Sequence, residues 1–299
     1  MPGAVLLGTG LLGEAIGLRL LQQGHRLTVW NRNPERCQTL VEAGAALAPT
    51  AAAAVAGAEL VLTVLADGAI TATVLQQAAG GLAGRLVVQM ATIAPRQSLA
   101  LAEQLKALDC AYLEAPVLGS RPEALNGSLQ VMVGGDAEAL TRALPLLRSL
   151  DPSPRHLGAL GAASHTKLAL NQLIASLTHS FSLSLHVVQQ AGVDVDTFMA
   201  ILRGSALYAP TFDKKLAKEL ADDYSNPNFP TAHLRKDLNL FVDAARSLGL
   251  DTEGLSGLQR LLAQASDAGI DALDYSALHR LTGGLPNPIQ PSASAMAVD

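Results

Sequence analysis

Short apolar runs alternate with longer stretches of helical periodicity through the first half of the chain. The apolar runs that predict strands are, by number, 4–8, 26–30, 59–65, 85–90, 111–116 and 129–135. Helical patterns lie between most of these runs, and this alternation is typical of βαβ units. We therefore predict an α/β fold that begins with a doubly wound, mainly parallel sheet.

The pattern changes across residues 151–161, where Pro152, Pro154, Gly158 and Gly161 indicate a linker or a last strand with turns. Only helical patterns follow, at about 163–191, 194–203, 209–220, 232–248, 252–268 and 274–281. This predicts a first domain at 1–160 and an all-helical domain at 161–283, joined by a long interdomain helix, with a disordered tail at 284–299.

Composition and charge exclude several classes of protein. The formal net charge is -5 and aromatic residues are 3%, so neither a basic stripe nor stacking aromatics favour a nucleic-acid partner. The uncharged run 168–193 is long enough for a bilayer, but its polar side chains make insertion unfavourable. Cys37 and Cys110 lack metal-ligand spacing, and the N-terminus lacks a basic signal-peptide region. We expect a cytoplasmic protein with reduced thiols and no metal.

A glycine-rich turn follows the first predicted strand and opens an amphipathic helix. It contains Gly8, Thr9, Gly10, Leu11, Leu12 and Gly13. In this context GxGxxG indicates a dinucleotide-binding loop. Gly8 allows the tight turn, Gly10 allows the backbone to approach a pyrophosphate, and Gly13 allows close helix–strand packing. The first domain is therefore predicted to be a Rossmann-type domain.

The end of the second strand indicates which cofactor this domain prefers. NAD enzymes place an acidic residue there for the ribose 2′-hydroxyl, whereas this chain has Asn31 followed by Arg32. A guanidinium matches phosphate geometry, and no carboxylate repels a 2′-phosphate, so we expect NADP(H) to be preferred over NAD(H). Leu65, Ala66 and Asp67, at the end of the third predicted strand, complete the cofactor-binding residues predicted in this part of the chain.

Four further motifs follow one another along the chain: "ATIAP", "EAPVLGSRPEALNGSLQVMVGG", "GALGAASHTKLALNQ" and "FPTAHLRKDLNL". With "GTGLLG" and "NRNPER", they make roughly residues 3–281 resemble the β-hydroxyacid dehydrogenase family. The segment "EAPVLGSRPEALNGSL" is most similar to the glyoxylate/succinic semialdehyde reductase branch. This resemblance implies an enzyme, an NAD(P)-dependent oxidoreductase acting on hydroxyl or aldehyde groups.

The resemblance also implies roles for individual residues. Lys167 matches the catalytic lysine of the family and Asn171 the asparagine beside it, whereas Thr92 and Lys236 match positions that contact the cofactor. The substrate-binding loop would comprise Leu118, Gly119 and Ser120. The family usually has serine at 118, so carboxylate binding here would depend more on backbone N–H groups and on Ser120.

Lys167 and Asn171 are four residues apart, so they share one face of a helix. We expect a buried helix whose lysine faces the nicotinamide and acts as general acid. The leading hypothesis is an NADPH-dependent reductase of short carboxylate-bearing aldehydes such as glyoxylate or succinic semialdehyde. The alternatives are a 3-hydroxyisobutyrate-type or tartronate semialdehyde-type dehydrogenase, an imine reductase, and a non-catalytic NADP-binding protein.

Three further expectations concern the helical domain. His165, His179 and His186 lack a metal-binding spacing and are expected to be hydrogen-bonded core or interface residues. Glu219, Asp222 and Asp223 are expected to form a solvated acidic turn. The small residues near "ASLTHSFSLSL" suggest helix packing between subunits of a homodimer or homotetramer.

Overall fold

The computed structural model describes residues 3–284 of the chain. Nine strands form one sheet: β1 (Ala4–Leu7), β2 (Leu27–Trp30), β3 (Ala46–Leu47), β4 (Leu60–Thr63), β5 (Leu86–Gln89), β6 (Ala111–Glu114), β7 (Val117–Leu118), β8 (Gln130–Gly135) and β9 (Arg155–His156). The strand order is β3-β2-β1-β4-β5-β6-β8-β7, with β9 paired to β8. The pairs from β3 to β6 are parallel, whereas β8 is antiparallel to β6 and β7. This confirms the predicted doubly wound, mainly parallel sheet.

Seven helices accompany the strands of this sheet: α1 (Leu11–Gln22), α2 (Gln38–Glu42), α3 (Ala51–Val55), α4 (Gly68–Gln77), α5 (Pro95–Lys106), α6 (Arg121–Asn126) and α7 (Ala137–Leu147). Because the central strands are buried on both faces, they are mainly aliphatic, and all four residues of β1, β4 and β5 are buried, including Thr63 and Gln89 at the strand ends. Two apolar clusters form the core, one containing Leu6, Ile16 and Leu62, and the other Leu7, Val61 and Leu75.

Helices make up most of the remaining described residues: α8 (Ala162–Gln190), α9 (Val195–Arg203), α10 (Pro210–Ala221), α11 (Thr231–Ser247), α12 (Ser256–Ala263) and α13 (Leu278–Thr282). Their cores include a stacked pair, Phe181 and Phe212, with ring centroids 4.7 Å apart. Among residues 3–284, no helix is both long and apolar enough to span a membrane.

The internal contacts of the chain divide it into two compact units. The first unit runs to Leu170 and includes Asp243–Leu248, and the second contains Asn171–Val242 and continues from Gly249. The division falls inside α8, so this helix contributes residues to both units. The domain boundary at residue 160 stays a prediction. The predicted disordered tail lies, except for Gly284, outside the described residues.

Several local expectations need correction. The two-residue strands β3 and β7 were not predicted, because they are too short to give a period-two pattern, whereas β9 is the last strand predicted as one alternative for residues 151–161. The helix expected at 252–268 is a 3₁₀ turn followed by α12, which ends at Ala263. The helix α8 is only partly buried: Leu173, Leu183 and Val187 are 51%, 48% and 60% exposed. The apolar residues of α8 therefore do not all lie on its buried face.

The expected solvated acidic turn is wrong for Glu219. This residue is 4% exposed, its Oε1 accepts a hydrogen bond from Ser182 Oγ at 3.2 Å, and its Oε2 lies 3.6 Å from His279 Nδ1. Asp222 instead pairs with Arg280 at 2.7 Å. Burial raises the pKa of Glu219 to about 8 and lowers the pKa of His279 to about 4. A neutral carboxyl group and a neutral imidazole therefore face each other near pH 6.

This pair predicts a pH-dependent stability of the helical unit. Because the pKa of Glu219 is raised in the folded state, its contribution is fully present below its ordinary pKa of 4.5 and is lost as the pH rises towards 8. Glu219→Gln cannot ionise. We expect its unfolding free energy, relative to that of the parent, to increase by at least about 1 kcal/mol between pH 5 and pH 8, since one pKa unit corresponds to about 1.4 kcal/mol.

The measurement is chemical unfolding of both proteins at each pH, followed by the signal of the helical unit. Glu253→Gln, at an exposed glutamate of the same unit, is the matched control and should keep a constant difference from the parent. A constant difference for Glu219→Gln as well would contradict the assignment.

Candidate active site

The turn between β1 and α1 has a geometry that only glycine permits at two positions. Gly8 has φ +102°, and a Cβ atom there would lie 2.3 Å from the Val64 carbonyl oxygen. A Cβ atom at Gly13 would lie 2.1 Å from the Gly8 carbonyl oxygen. At Gly10, the N-cap of α1, an added Cβ atom would meet nothing within 4 Å. The space in front of the helix N-terminus is therefore open, as a pyrophosphate requires.

The other residues of this turn support the loop. Thr9 is buried, and its Oγ1 lies 3.5 Å from Cys37 Sγ. Leu11 is exposed, whereas Leu12 packs against the core. The loop thus presents backbone at Gly10 while its neighbours hold it in place.

The register of the parallel strands brings the predicted cofactor-binding residues of the first unit to one edge. Leu7 pairs with both Trp30 and Thr63, Thr63 pairs with Gln89, and Gln89 pairs with Glu114. The loops after these strands therefore start at one level of the sheet, the place where open α/β sheets bind ligands. The predicted residues in these loops, besides the glycine-rich turn, are Asn31, Arg32, Leu65, Ala66, Asp67 and Thr92.

Asn31 and Arg32 follow β2 directly. Asn31 Oδ1 accepts a hydrogen bond from the Asn33 backbone N–H at 3.0 Å, which fixes the turn, and the Arg32 side chain is exposed. Two strands further along the sheet, after β4, Asp67 caps α4 by accepting a hydrogen bond from the Ile70 N–H at 2.8 Å. Asp67 is therefore held as a helix cap next to the exposed Ala66.

The helix α8 carries Lys167 and Asn171 one turn apart, with exposures of 9% and 2%. The Asn171 side-chain N–H donates to Asp237 Oδ2 at 2.6 Å. Lys236, predicted as a cofactor contact, lies in the second unit, where its Nζ is 3.0 Å from Asp237 Oδ1. Burial, and then the charge of Lys236, lower the pKa of the neighbouring His233.

Asp237 is a functional candidate that sequence reasoning missed. It is 1% exposed although it lies in the polar segment "HLRKDLNL", where a Lys–Asp pair reads as a surface feature. The sequence signal that could have identified Asp237 is its neighbour Lys236, which is already predicted to contact the cofactor. A carboxylate this deeply buried next to a cation and an amide is an expected feature of functional sites.

The predicted substrate-binding loop begins as a strand, because Leu118 is the last residue of β7 and pairs with Gln130. Gly119 follows with φ +127°. The backbone N–H and the hydroxyl of Ser120 both donate to Glu123 Oε2, at 2.8 and 2.6 Å. Two donors that could hold a substrate carboxylate are thus already bonded to a carboxylate of the chain.

The three histidines of α8 are hydrogen-bonded, as expected. His165 Nδ1 lies 2.8 Å from Gly161 O, His179 Nδ1 lies 3.2 Å from Thr282 Oγ1, and His186 Nε2 lies 2.9 Å from His279 O. Within residues 3–284, no group of His, Cys, Asp or Glu side chains is arranged to hold a metal ion.

Comparison with known proteins agrees with this geometry. Residues 4–155 match the family model described as the NAD binding domain of 6-phosphogluconate dehydrogenase, and residues 161–282 match the model described as NAD-binding of NADP-dependent 3-hydroxyisobutyrate dehydrogenase. The chain is 28% identical to glyoxylate/succinic semialdehyde reductase 1 of Arabidopsis thaliana, over 91% of this chain and 95% of that protein. It is 27% identical to 3-sulfolactaldehyde reductase of Escherichia coli K12, over 93% and 95% of the two chains.

A solved structure, 3-hydroxyisobutyrate dehydrogenase of Mycobacterium tuberculosis with L-serine, has the same fold. Its TM-score is 0.85 at 24% identity, and the match covers 94% of this chain and 98% of that one. The two family-model matches and the relatives named as reductases make the chain an NAD(P)-dependent oxidoreductase acting on hydroxyl and aldehyde groups. The chain belongs to the β-hydroxyacid dehydrogenase family.

The contact between Ser120 and Glu123 predicts how strongly the loop binds an anionic substrate. Glu123→Gln keeps an acceptor for Ser120 but removes the negative charge. We expect it to lower KM for carboxylate-bearing aldehydes by about fivefold, since the repulsion between two solvated negative charges at close range costs about 1 kcal/mol. Neutral aldehydes should be unaffected.

The measurement is steady-state kinetics on matched charged and neutral aldehydes. Glu103→Gln, at an exposed glutamate of α5, is the control. An equal change in KM for the charged and neutral compounds would mean that Glu123 acts on the loop structure and not on charge.

Proposed function

We propose that this protein is an NADPH-dependent reductase that transfers hydride to a short carboxylate-bearing aldehyde, such as glyoxylate or succinic semialdehyde. The observation that carries the proposal is the buried Lys167 at the start of α8, one turn before Asn171. The similarity to an Arabidopsis thaliana protein named for these two substrates supports the choice of substrate class. The same name supports the reductive direction.

The preference for NADP(H) is part of this proposal. It is supported by the residues after β2, where Asn31 takes the place of the acid that binds a ribose 2′-hydroxyl and Arg32 is exposed to meet a 2′-phosphate. The family model that matches residues 161–282 is named for an NADP-dependent dehydrogenase. The backbone N–H groups at the start of α1, beside Gly10, would hold the pyrophosphate, whereas Gly8 and Gly13 allow the tight turn and the close packing of the helix.

Lys167 is proposed as the general acid. NADPH, when bound, supplies the hydride. The Lys167 ammonium would donate a hydrogen bond to the carbonyl oxygen, stabilise the negative charge that develops there, and transfer its proton to give the alcohol. Burial strengthens this electrostatic contribution, because the lysine is only 9% exposed.

Asn171 is proposed to orient the reacting groups. Its amide nitrogen donates to Asp237 at 2.6 Å, so the side chain is fixed and its oxygen is the end that can accept a hydrogen bond. An acceptor one turn from Lys167 suits the ammonium or the product hydroxyl. Thr92 and Lys236 are proposed as further cofactor contacts, and Leu118, Gly119 and Ser120 as the substrate loop.

The second candidate is the reverse type of reaction, oxidation of a 3-hydroxyisobutyrate-like or tartronate semialdehyde-related hydroxy acid. Leu118, an apolar residue in the proposed substrate loop, favours the 3-hydroxyisobutyrate-like acid, which carries an apolar methyl substituent. An aldehyde and hydroxy-acid panel assayed with NADPH, NADH and their oxidised forms separates the two candidates.

We also propose that the protein forms a homodimer or homotetramer through its helical unit. Exposed apolar side chains on α8 and α9 support this, with Val187 60% and Ile201 70% exposed. The molar mass in solution tests it. The cytoplasmic location stays a prediction.

Arg32→Ala should weaken NADPH binding selectively. Loss of one charge-assisted phosphate contact, about 1.5–3 kcal/mol, should raise KM for NADPH roughly 10- to 150-fold and leave KM for NADH nearly unchanged. Arg36→Ala, at an exposed arginine four residues further on, is the matched control. Equal affinity of the parent for both cofactors would remove the proposed preference.

Lys167→Ala should lower kcat by at least about 10²-fold, the lower limit for general acid catalysis, while NADPH affinity changes little. Lys167→Arg should not restore the rate, because guanidinium releases its proton too reluctantly. The measurement is single-turnover oxidation of NADPH with saturating aldehyde, with Lys106→Ala as the exposed-lysine control. A rate for Lys167→Ala within a few-fold of the parent would refute the proposed chemistry.

A further inference from the structure

A carboxylate lies buried at the start of the helix that carries Lys167. Glu114 is the last residue of β6 and is 0% exposed. Its Oε1 accepts a hydrogen bond from Ser164 Oγ at 2.8 Å, and its Oε2 accepts one from the Ser164 backbone N–H at 3.4 Å. This side chain therefore connects the carboxyl edge of the sheet with the first turn of α8.

The backbone around Glu114 leaves room for this contact only because residue 134 is glycine. Gly134 pairs with Glu114 in the antiparallel register of β6 and β8. A Cβ atom at Gly134 would lie 2.5 Å from Glu114 Oε2 and 3.2 Å from the Ala163 backbone nitrogen. The sheet and the helix thus approach each other with the carboxylate held between them.

The N-terminus of α8 supplies a hydrogen-bond donor and a favourable helix dipole to the buried carboxylate. The backbone N–H of His165 bonds to Gly161 O, so the N–H of Ser164 belongs to the first turn, whose donors have no partner within the helix. Glu114 satisfies this donor, and a negative charge at a helix N-terminus is favourable. These contacts offset part of the cost of burying the carboxylate.

Ser164 and Lys167 are three residues apart on α8, with exposures of 4% and 9%. Residues at this spacing lie on one face, about 5–6 Å apart at their Cβ atoms. A negative charge held at Ser164 is therefore within one turn of the lysine. At such distances, and with little water between, an opposite charge favours the ionised form of the amine.

We infer that Glu114 is a positioning residue for Lys167: through Ser164 it fixes the first turn of α8, and its charge keeps the lysine in the ammonium form that can donate a proton. The inference rests on the proposed role of Lys167. It adds a residue on β6 that does not touch the substrate but determines the orientation and the protonation of the residue that does.

Other titratable groups lie on the elements around this carboxylate. Tyr112 precedes Glu114 by two residues on β6, and burial, with a smaller contribution from the charge of Glu114, raises the pKa of its phenol. His165 on α8 and His156 on β9 are hydrogen-bonded to the carbonyl oxygens of Gly161 and Gly135. Both histidines therefore bond to neutral backbone groups. The charged side chain that bonds to the first turn of α8 is Glu114.

The test compares Glu114→Gln with the parent in the full-length chain. The amide keeps an oxygen acceptor for Ser164 but removes the charge. We expect kcat to fall about tenfold at pH 8, and its alkaline limb to move about one pH unit lower, since a tenfold change in proton affinity is one unit. KM for the aldehyde and the affinity for NADPH should change less than threefold. An unchanged alkaline limb would overturn the inference.

Two further variants separate positioning from general stability. Asp151→Asn removes another buried carboxylate of the first unit, one that accepts a hydrogen bond from the Val131 N–H at 2.7 Å and does not bond to α8. It should leave the pH profile in place, and an equal shift in this control would overturn the inference. Ser164→Ala keeps the charge but loses the hydroxyl contact. If Glu114→Gln does not fold, Ser164→Ala still decides, because kcat must fall at an unchanged pH limb.

One measurement does not depend on turnover. The rate at which an amine-reactive reagent labels Lys167 at pH 8, followed by peptide mass spectrometry, should rise several-fold in Glu114→Gln, because the neutral amine is the reactive form. An unchanged labelling rate would overturn the inference even if Lys167→Ala is inactive. Conversely, a fully active Lys167→Ala protein with faster labelling in Glu114→Gln would refute the proposed function and keep the link between Glu114 and Lys167.

Discussion

The contact between Gly13 and the Gly8 carbonyl is the constraint on which the cofactor-binding edge depends. Neither position tolerates a Cβ atom, since one would lie 2.1 Å and the other 2.3 Å from a backbone oxygen. The helix α1 can therefore start directly against β1 and β4, and its N-terminal N–H groups face the edge where the strands end. The same helix packs against α6, where Arg121 donates to Glu14 at 3.0 Å. The glycine-rich turn and the predicted substrate loop are consequently both positioned by α1.

The helix α8 carries Lys167 and Asn171, the two residues proposed to take part in proton transfer. Ser164, Lys167 and Asn171 form a buried polar stripe at helical spacing, and each end of it meets a carboxylate within its own unit: Glu114 at Ser164 and Asp237 at Asn171. A buried polar stripe is costly unless its groups are hydrogen-bonded. Placing the carboxylates on β6 and α11 satisfies the stripe without adding charged residues to α8. This explains why the helix has a single cation near its start and no other charged side chain.

The sequence predicted the long elements well because their patterns repeat. The strands of four to six residues and the helices α8 to α11 agree with the predicted segments within a few residues. The two-residue strands β3 and β7 could not be predicted, since they depend on pairing partners outside their own segment, as Leu118 does on Gln130. The burial of Glu219 and Asp237 was missed for a related reason. Their partners, Ser182 and Asn171, lie 37 and 66 residues away, so no local pattern identifies them as buried.

The family pattern gives the least information about this chain at the predicted substrate loop. Residue 118 lacks the usual hydroxyl, and the donors of Ser120 are bonded to Glu123. Both features weaken a carboxylate site next to the reacting carbonyl, because one removes a donor and the other adds a negative charge. Glyoxylate carries its carboxylate directly on that carbonyl and would have to place it beside this loop. In succinic semialdehyde, by contrast, two methylene groups separate the carboxylate from the aldehyde carbon. Of the two aldehydes proposed as substrates, we therefore expect the longer acid to suit this loop better, with Leu118 against its methylene groups.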